Sequence, residues 1–145
     1  SGAGKSTLSA SLRGAGHRLL SDDAIIVSDA ACSGRFMGEP VYPSLRLFPD
    51  SIAALLDAET ETAPMAAYST KRHVALGASV ADGWTSALIG GLFFLARDQA
   101  EAGCGVHALS PSMACIKLIE QSFSLDPRDP RCGAARLEKA SRLAL

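Results

Sequence analysis

The first seven residues constrain this chain more than any other feature. Ser1-Gly2-Ala3-Gly4-Lys5-Ser6-Thr7 reproduces the second half of the pattern G-x-x-x-x-G-K-[ST], the P-loop. Each part has a physical reason. Glycines let the backbone turn its N–H groups inward around phosphate oxygens. Lys5 supplies a mobile positive charge for β- and γ-phosphates, and Ser6 a hydroxyl for Mg²⁺. A helix that opens at Lys5 aims its positive dipole end at the anion. The first glycine of the full pattern would precede Ser1. A chance Gly-Lys-Ser turn before a helix is the bland alternative, and the run of Gly2, Gly4, Lys5, Ser6, Thr7 and a following helix weighs against it.

The second signal is Asp22-Asp23. Two adjacent acids are ordinarily a solvated turn, but the spacing gives these a destination. A helix over Ser6–Arg13, with Leu8 and Leu12 one turn apart, carries the chain about 12 Å from the phosphate site. Gly14-Ala15-Gly16 ends that helix. A strand over His17–Ser21 brings it back by about 16 Å. The acids then return beside Lys5 and Ser6, where one carboxylate can hold Mg²⁺ and the other can take a proton from an attacking hydroxyl. Asp22 is the expected metal ligand and Asp23 the expected base, with the division between them left open.

Beyond the acids, Ile25-Ile26-Val27 reads as a strand. The stretch Ser28–Pro49 reads as turn-rich, the kind of segment where binding residues sit. Ser51–Asp57 reads as a helix capped by Asp50, and Glu59–Pro64 as a polar connection. Strands are expected at His73–Leu76, Leu88–Leu95 (apolar enough to be buried on both faces) and Val106–Leu109. Ser110-Pro111 starts a helix to about Phe123, with Met113, Ile116, Ile119 and Phe123 as a core-facing stripe. Leu125–Arg131 reads as a loop and Ala134–Leu145 as a last amphipathic helix. Strands mixed with helices predict an α/β class, an α+β mixed sheet, in a single domain over residues 1–145.

Composition narrows the function classes. In 145 residues, 14 Lys plus Arg face 15 Asp plus Glu, for a net charge of −1. This lacks the basic bias of nucleic-acid and membrane-surface proteins, so neither partner is expected. The chain is 48% hydrophobic and 20% charged, enough to build a core. Its longest apolar stretch, Ala87–Ala96, falls short of the roughly 20 residues a membrane helix needs. Cys32, Cys104, Cys115 and Cys132 form no C-x-x-C pair, and reduced structural thiols of a cytoplasmic protein are the expectation.

In order and spacing, Ser1–Leu8 followed by Gly16-His17-Arg18-Leu19-Leu20-Ser21-Asp22-Asp23 resembles the HPr kinase/phosphorylase family, bacterial serine kinases of the phosphotransferase system. That family runs from a P-loop through a short helix and a turn ending G-H-x-L to a paired-acid strand. Val41-Tyr42-Pro43-Ser44-Leu45-Arg46-Leu47-Phe48-Pro49-Asp50 is similar to a segment of its shorter, divergent branch, with Phe48 where Trp is common. Gly91–Arg97, Leu109-Ser110-Pro111 and Ser122–Pro127 resemble later segments of that branch, so the likeness spans nearly the whole chain.

The resemblance implies a P-loop nucleotide-binding fold related to phosphoenolpyruvate carboxykinase. It implies ATP and Mg²⁺ as cofactors and transfer of the γ-phosphoryl group to a Ser hydroxyl. The acceptor would be a protein or peptide, an HPr-like protein or a ribosomal peptide precursor. Lys5, Asp22 and Asp23 would be catalytic. Ser1, Gly2, Ala3, Gly4, Lys5, Ser6, Thr7 and Arg46 would bind the nucleotide, and Ser6 and Asp22 the metal. Some relatives are hexamers, so a homo-oligomer is left open. Two departures stand out. The E-x-R-G-[LI]-G-like segment of the phosphotransferase enzymes is absent, which leaves HPr as acceptor and the reverse phosphorylase activity open. The family's catalytic His precedes the P-loop, and His17, which follows the first helix, reads as packing or capping.

Arg46 could instead be a solvent-facing strand residue, Lys71 and Arg72 a solvated pair or nucleotide contacts, and Trp84 core or a base-stacking ring. A small-molecule kinase and a non-catalytic nucleotide-binding regulator remain as alternatives, because a P-loop says nothing about the acceptor. The strand that delivers a P-loop would end before Ser1, and a further strand is implied after the last helix. The 145 residues therefore read as a fragment of one domain, expected alone to bind ATP poorly.

Overall fold

The computed structural model of the chain describes residues 3–31, 33–41, 44–74, 86–95, 105–123, 126 and 128–145. Ser1, Gly2, Cys32, Cys104 and Trp84 lie outside them, as do residues 75–76 of the expected third strand. Among the described residues the fold is mixed α+β, with four helices and two three-stranded sheets whose strand pairs are all antiparallel. The chain divides into two compact units, 1–97 and 98–145.

In the first unit, helix α1 (Lys5–Gly14) starts at Gly4, whose φ of 84° is left-handed and suits glycine. It ends in a Schellman motif. Gly16 takes φ 92°, the His17 N–H donates to the Leu12 carbonyl at 3.0 Å, and the Gly16 N–H donates to Arg13 at 2.9 Å. His17 thus caps the helix through its backbone. The following residues to Ser21 join no sheet, contrary to the strand expected there. A physical reason is that the edge they approach is taken by a side chain: Asp22 Oδ2 accepts the Arg46 N–H at 3.1 Å.

One sheet has the order β1-β2-β6, from β1 (Ile25–Asp29), β2 (Phe36–Pro40) and β6 (Ala87–Leu88). The other has the order β3-β5-β4, from β3 (Leu45–Leu47), β4 (Thr62–Ala66) and β5 (Ser69–Val74). The stretch read as turn-rich therefore contains two strands. Gly38 there serves packing rather than turning. A Cβ on it would sit 3.3 Å from Ile25 Cδ1. Pro64, the expected end of a polar connection, lies instead in β4, an edge strand that tolerates the missing donor. The Leu88–Leu95 strand shrinks to Ala87–Leu88. Gly90 and Gly91 offer no side chains to pack, and Leu92, Phe93 and Leu95 are exposed.

The first unit's core is small and lies on one face of the second sheet. Leu45, Leu47 and Val74 are buried with Ala10 of α1, and Leu19, Ile52, Leu55 and Leu56 pack around them. Helix α2 (Pro49–Leu55) contributes Ile52 and Leu55. Its N-cap is Phe48 with Pro at N1, so Asp50 is a first-turn acid rather than the cap.

The second unit holds helices α3 (Pro111–Gln121) and α4 (Pro130–Leu143), which pack together, Cys115 Sγ lying 3.6 Å from Ser141 Oγ. Ser110 caps α3 as expected, its side chain accepting the Met113 N–H at 3.3 Å. Residues 106–109 join no sheet. Of the Met113, Ile116, Ile119 and Phe123 stripe expected in the core, Met113, Ile116 and Phe123 are exposed and Ile119 is half-buried. Helix α4 starts earlier than expected, because Asp129-Pro130 repeats the Ser110-Pro111 logic. Asp129 accepts the Arg131 N–H at 2.9 Å. Among the described residues no helix is long and apolar enough to cross a membrane.

Candidate active site

The first unit contains an open cavity of about 530 Å³, within the range of small-molecule sites. Four segments line it: Ala3–Thr7 at the opening of α1, Asp22-Asp23, Arg46–Phe48 at the end of β3, and Lys71 of β5. The described residues singled out at both ends of the sequence argument, Lys5, Ser6, Asp22, Asp23 and Arg46, therefore face one space.

Each wall follows from local structure. At α1 the first intrahelical bond runs from the Leu8 N–H to the Gly4 carbonyl at 2.8 Å, so the amides of Lys5, Ser6 and Thr7 have no acceptor within the helix. Those three donors and the positive end of the helix dipole face the space beside Lys5, an arrangement that can accept an anion. Thr7 is partly committed elsewhere. Its hydroxyl is hydrogen-bonded to that of Ser51 at 3.1 Å, tying α1 to α2.

The paired acids are held by one residue. β3 alternates Leu45 and Leu47 into the core, which turns Arg46 to the opposite face. The Arg46 backbone N–H donates to Asp22 Oδ2 at 3.1 Å, and its guanidinium forms an ion pair with Asp23 Oδ2. Asp22 Oδ1 is buried and has no hydrogen-bond partner. A buried carboxylate oxygen in that state is costly unless a cation or water meets it. The donor set fits Mg²⁺, which takes one or two carboxylates and completes its shell with phosphate and water oxygens. Among the described residues no three His, Cys, Asp or Glu side chains gather as a metal-holding group.

Two of the lesser sequence candidates part company here. Lys71 lines the cavity, its Nζ 5.2 Å from the centre of the Phe48 ring. Arg72 points into the sheet, donating from Nε to Thr62 Oγ1 at 2.8 Å and from an Nη to the Thr62 carbonyl at 3.1 Å. Phe48 itself was missed as a cavity residue. The signal was present in Leu45-Arg46-Leu47-Phe48, whose alternation puts Phe48 on the Arg46 face. No protein-family model, curated protein or solved structure matches the chain.

Proposed function

We propose that the chain is an ATP-dependent, Mg²⁺-using serine kinase domain of the HPr-kinase-like type. Its acceptor is a Ser hydroxyl of a protein or peptide, HPr-like or a ribosomal peptide precursor, and it acts in the cytoplasm. The observation that carries this reading is the meeting of Lys5 and Ser6, at the opening of α1, with Asp22, Asp23 and Arg46 around one cavity. A phosphate-binding turn alone would suit any anion. A turn facing two carboxylates and an arginine suits phosphoryl transfer, where catalysis is positioning and charge stabilisation.

In this reading the α1 amides and Lys5 hold the β- and γ-phosphates. Ser6 and Asp22 would hold Mg²⁺, which would supply positive charge against the phosphate groups. Asp23 receives the proton of the acceptor hydroxyl as its oxygen bonds to the γ-phosphorus and the bond to ADP breaks. Arg46 exchanges Asp23 for the γ-phosphate oxygens, where its planar fork gives two donors. That exchange frees the Asp23 carboxylate at the moment the nucleotide is in place.

The test is radiolabelled γ-phosphate transfer in a lysate together with direct ATP binding. Wild type should label a Ser-containing acceptor. Asp23→Asn should bind ATP within about threefold of wild type and lose at least about 10² in labelling rate, at the lower end of what a positioned base contributes. Transfer only to free metabolites would select a small-molecule kinase. ATP binding with no labelling, and a cellular role that survives Asp23→Asn, would select a regulator.

A further inference from the structure

The phosphate reading accounts for one part of the cavity and leaves Phe48 unexplained. Phe48 lines the same space as Lys5 and Asp22, yet it is a large apolar ring that remains 44% exposed. It occupies a fixed place. It is the N-cap of α2, followed by Pro49, so its backbone is set by a strand on one side and a helix on the other. Extending the register Leu47↔Arg72 by one residue sets Phe48 opposite Lys71. Lys71 Nζ lies over the ring at 5.2 Å, within cation–π range. With that cation over it, the residue still keeps much of its surface exposed.

The layout of the cavity gives Phe48 a direction relative to the phosphate groups. Arg46 and Phe48 are two positions apart on one face of an extended strand, about 6.6 Å. Arg46 reaches the acids. Phe48 adjoins the start of α2, whose Ser51 is bonded to Thr7 on α1. The acids and the aromatic ring thus line one space together with the opening of α1, the acids on the Arg46 side of it and the ring two positions further along the chain. A ligand that matches both features carries a polyanionic tail and a flat, weakly polar ring.

We infer that Phe48 is the base-stacking residue of the nucleotide site, with Lys71 as the positioning residue that holds its ring. This rests on the kinase reading and names the part of the nucleotide that reading leaves unplaced. A ring face reads a base's π-surface rather than its hydrogen-bonding edge. Phe48 accordingly takes a purine without separating adenine from guanine, and ATP and GTP bind alike at this contact.

The experiment measures binding of ATP, GTP and inorganic tripolyphosphate to wild type, Phe48→Ala, Phe48→Leu and Phe48→Trp by calorimetry. Tripolyphosphate has the anionic tail and no base. Phe48→Ala and Phe48→Leu should each weaken ATP and GTP about tenfold, as loss of one base–aromatic stack does, and leave tripolyphosphate unchanged. Phe48→Trp should bind both nucleotides at least as tightly as wild type. Leu keeps the bulk and loses the π-face, so wild-type affinity in Phe48→Leu overturns the stacking role. Equal losses for tripolyphosphate and ATP overturn it too, as does unchanged ATP affinity with a raised KM for the acceptor. Lys5→Ala should weaken all three ligands. Full-length wild-type protein that binds neither ATP nor tripolyphosphate overturns the kinase reading and this inference with it. Wild type that binds both equally overturns the inference alone.

Discussion

Arg46 does two jobs with different groups, and they can be separated by mutation. Its backbone N–H holds Asp22 and its guanidinium holds Asp23. The ion pair is poorly placed to stabilise the fold. The Arg46 side chain is 22% exposed and that of Asp23 is 70% exposed, and pairs so open to water contribute about 0.2–1 kcal/mol. Arg46→Gln keeps the backbone donor and so keeps Asp22 in place. It should lower unfolding free energy by under about 1 kcal/mol and phosphoryl transfer by about 10²–10³, as removal of one charge-stabilising donor does. Urea melts and labelling rates on the same preparations give both numbers. A stability loss that matched the activity loss would make Arg46 a structural residue. At this scale the sequence was most informative. Lys5, Ser6, Asp22 and Asp23 were placed together by rise-per-residue arithmetic, which needs only the lengths of the outgoing helix and returning chain. Phe48 is harder to read, because the Gly- and Pro-rich stretch around it looks like turns and masks the short alternation Leu45-Arg46-Leu47-Phe48.

Elements read unevenly, and the pattern has a cause. Helix starts with local chemistry were visible: Gly-Lys-Ser at α1 and Ser110-Pro111 at α3 each satisfy or exploit orphan amides within a few residues. The sheets depend on partners distant in sequence. β4 and β5 turn on Ala67-Tyr68, a pair with none of the glycine or asparagine that marks a two-residue hairpin. β3 is three residues long, too short for alternation to stand out, yet it positions the site. Leu45 and Leu47 anchor it in the core while Arg46 and Phe48 face the cavity. Leu45→Ala should therefore cost about 2–5 kcal/mol, as for a fully buried leucine, and weaken ATP binding with it, read by urea titration with and without nucleotide. Helix α4 supplies a pH test. The Asp129 carboxyl is held below the usual aspartate range first by the Arg131 backbone N–H, then by the Arg131 side chain. A depressed carboxyl stabilises the helix above the ordinary aspartate value, near pH 4. That contribution is lost as pH falls through the lower folded value. Helical circular dichroism should drop on acidification below about pH 4, and Asp129→Asn should remove this part of the drop.

Among the described residues little apolar material is buried. Among the described residues of the first unit, only Ala10, Phe36, Leu45, Leu47 and Val74 are buried hydrophobics, so its stability rests on few contacts and a bound ligand should weigh heavily in it. Binding to the folded state alone adds about 2.7 kcal/mol at a ligand concentration one hundred times Kd. For chains of this size that moves Tm by on the order of 10 °C. In the proposed reading a metal would contribute separately, because Asp22 Oδ1 is buried without a hydrogen-bond partner and a cation would satisfy that oxygen more strongly than water does. ATP with Mg²⁺ should therefore raise Tm more than ATP with EDTA. Asp22→Asn removes the charge that the cation answers while its carbonyl oxygen can still accept the Arg46 N–H. In that variant the ATP shift should be the same with Mg²⁺ as with EDTA, and in Lys5→Ala it should be small under both conditions. A full Mg²⁺ increment in Asp22→Asn would place the metal on other groups, and the two-carboxylate reading of the cavity would then lose its metal ligand.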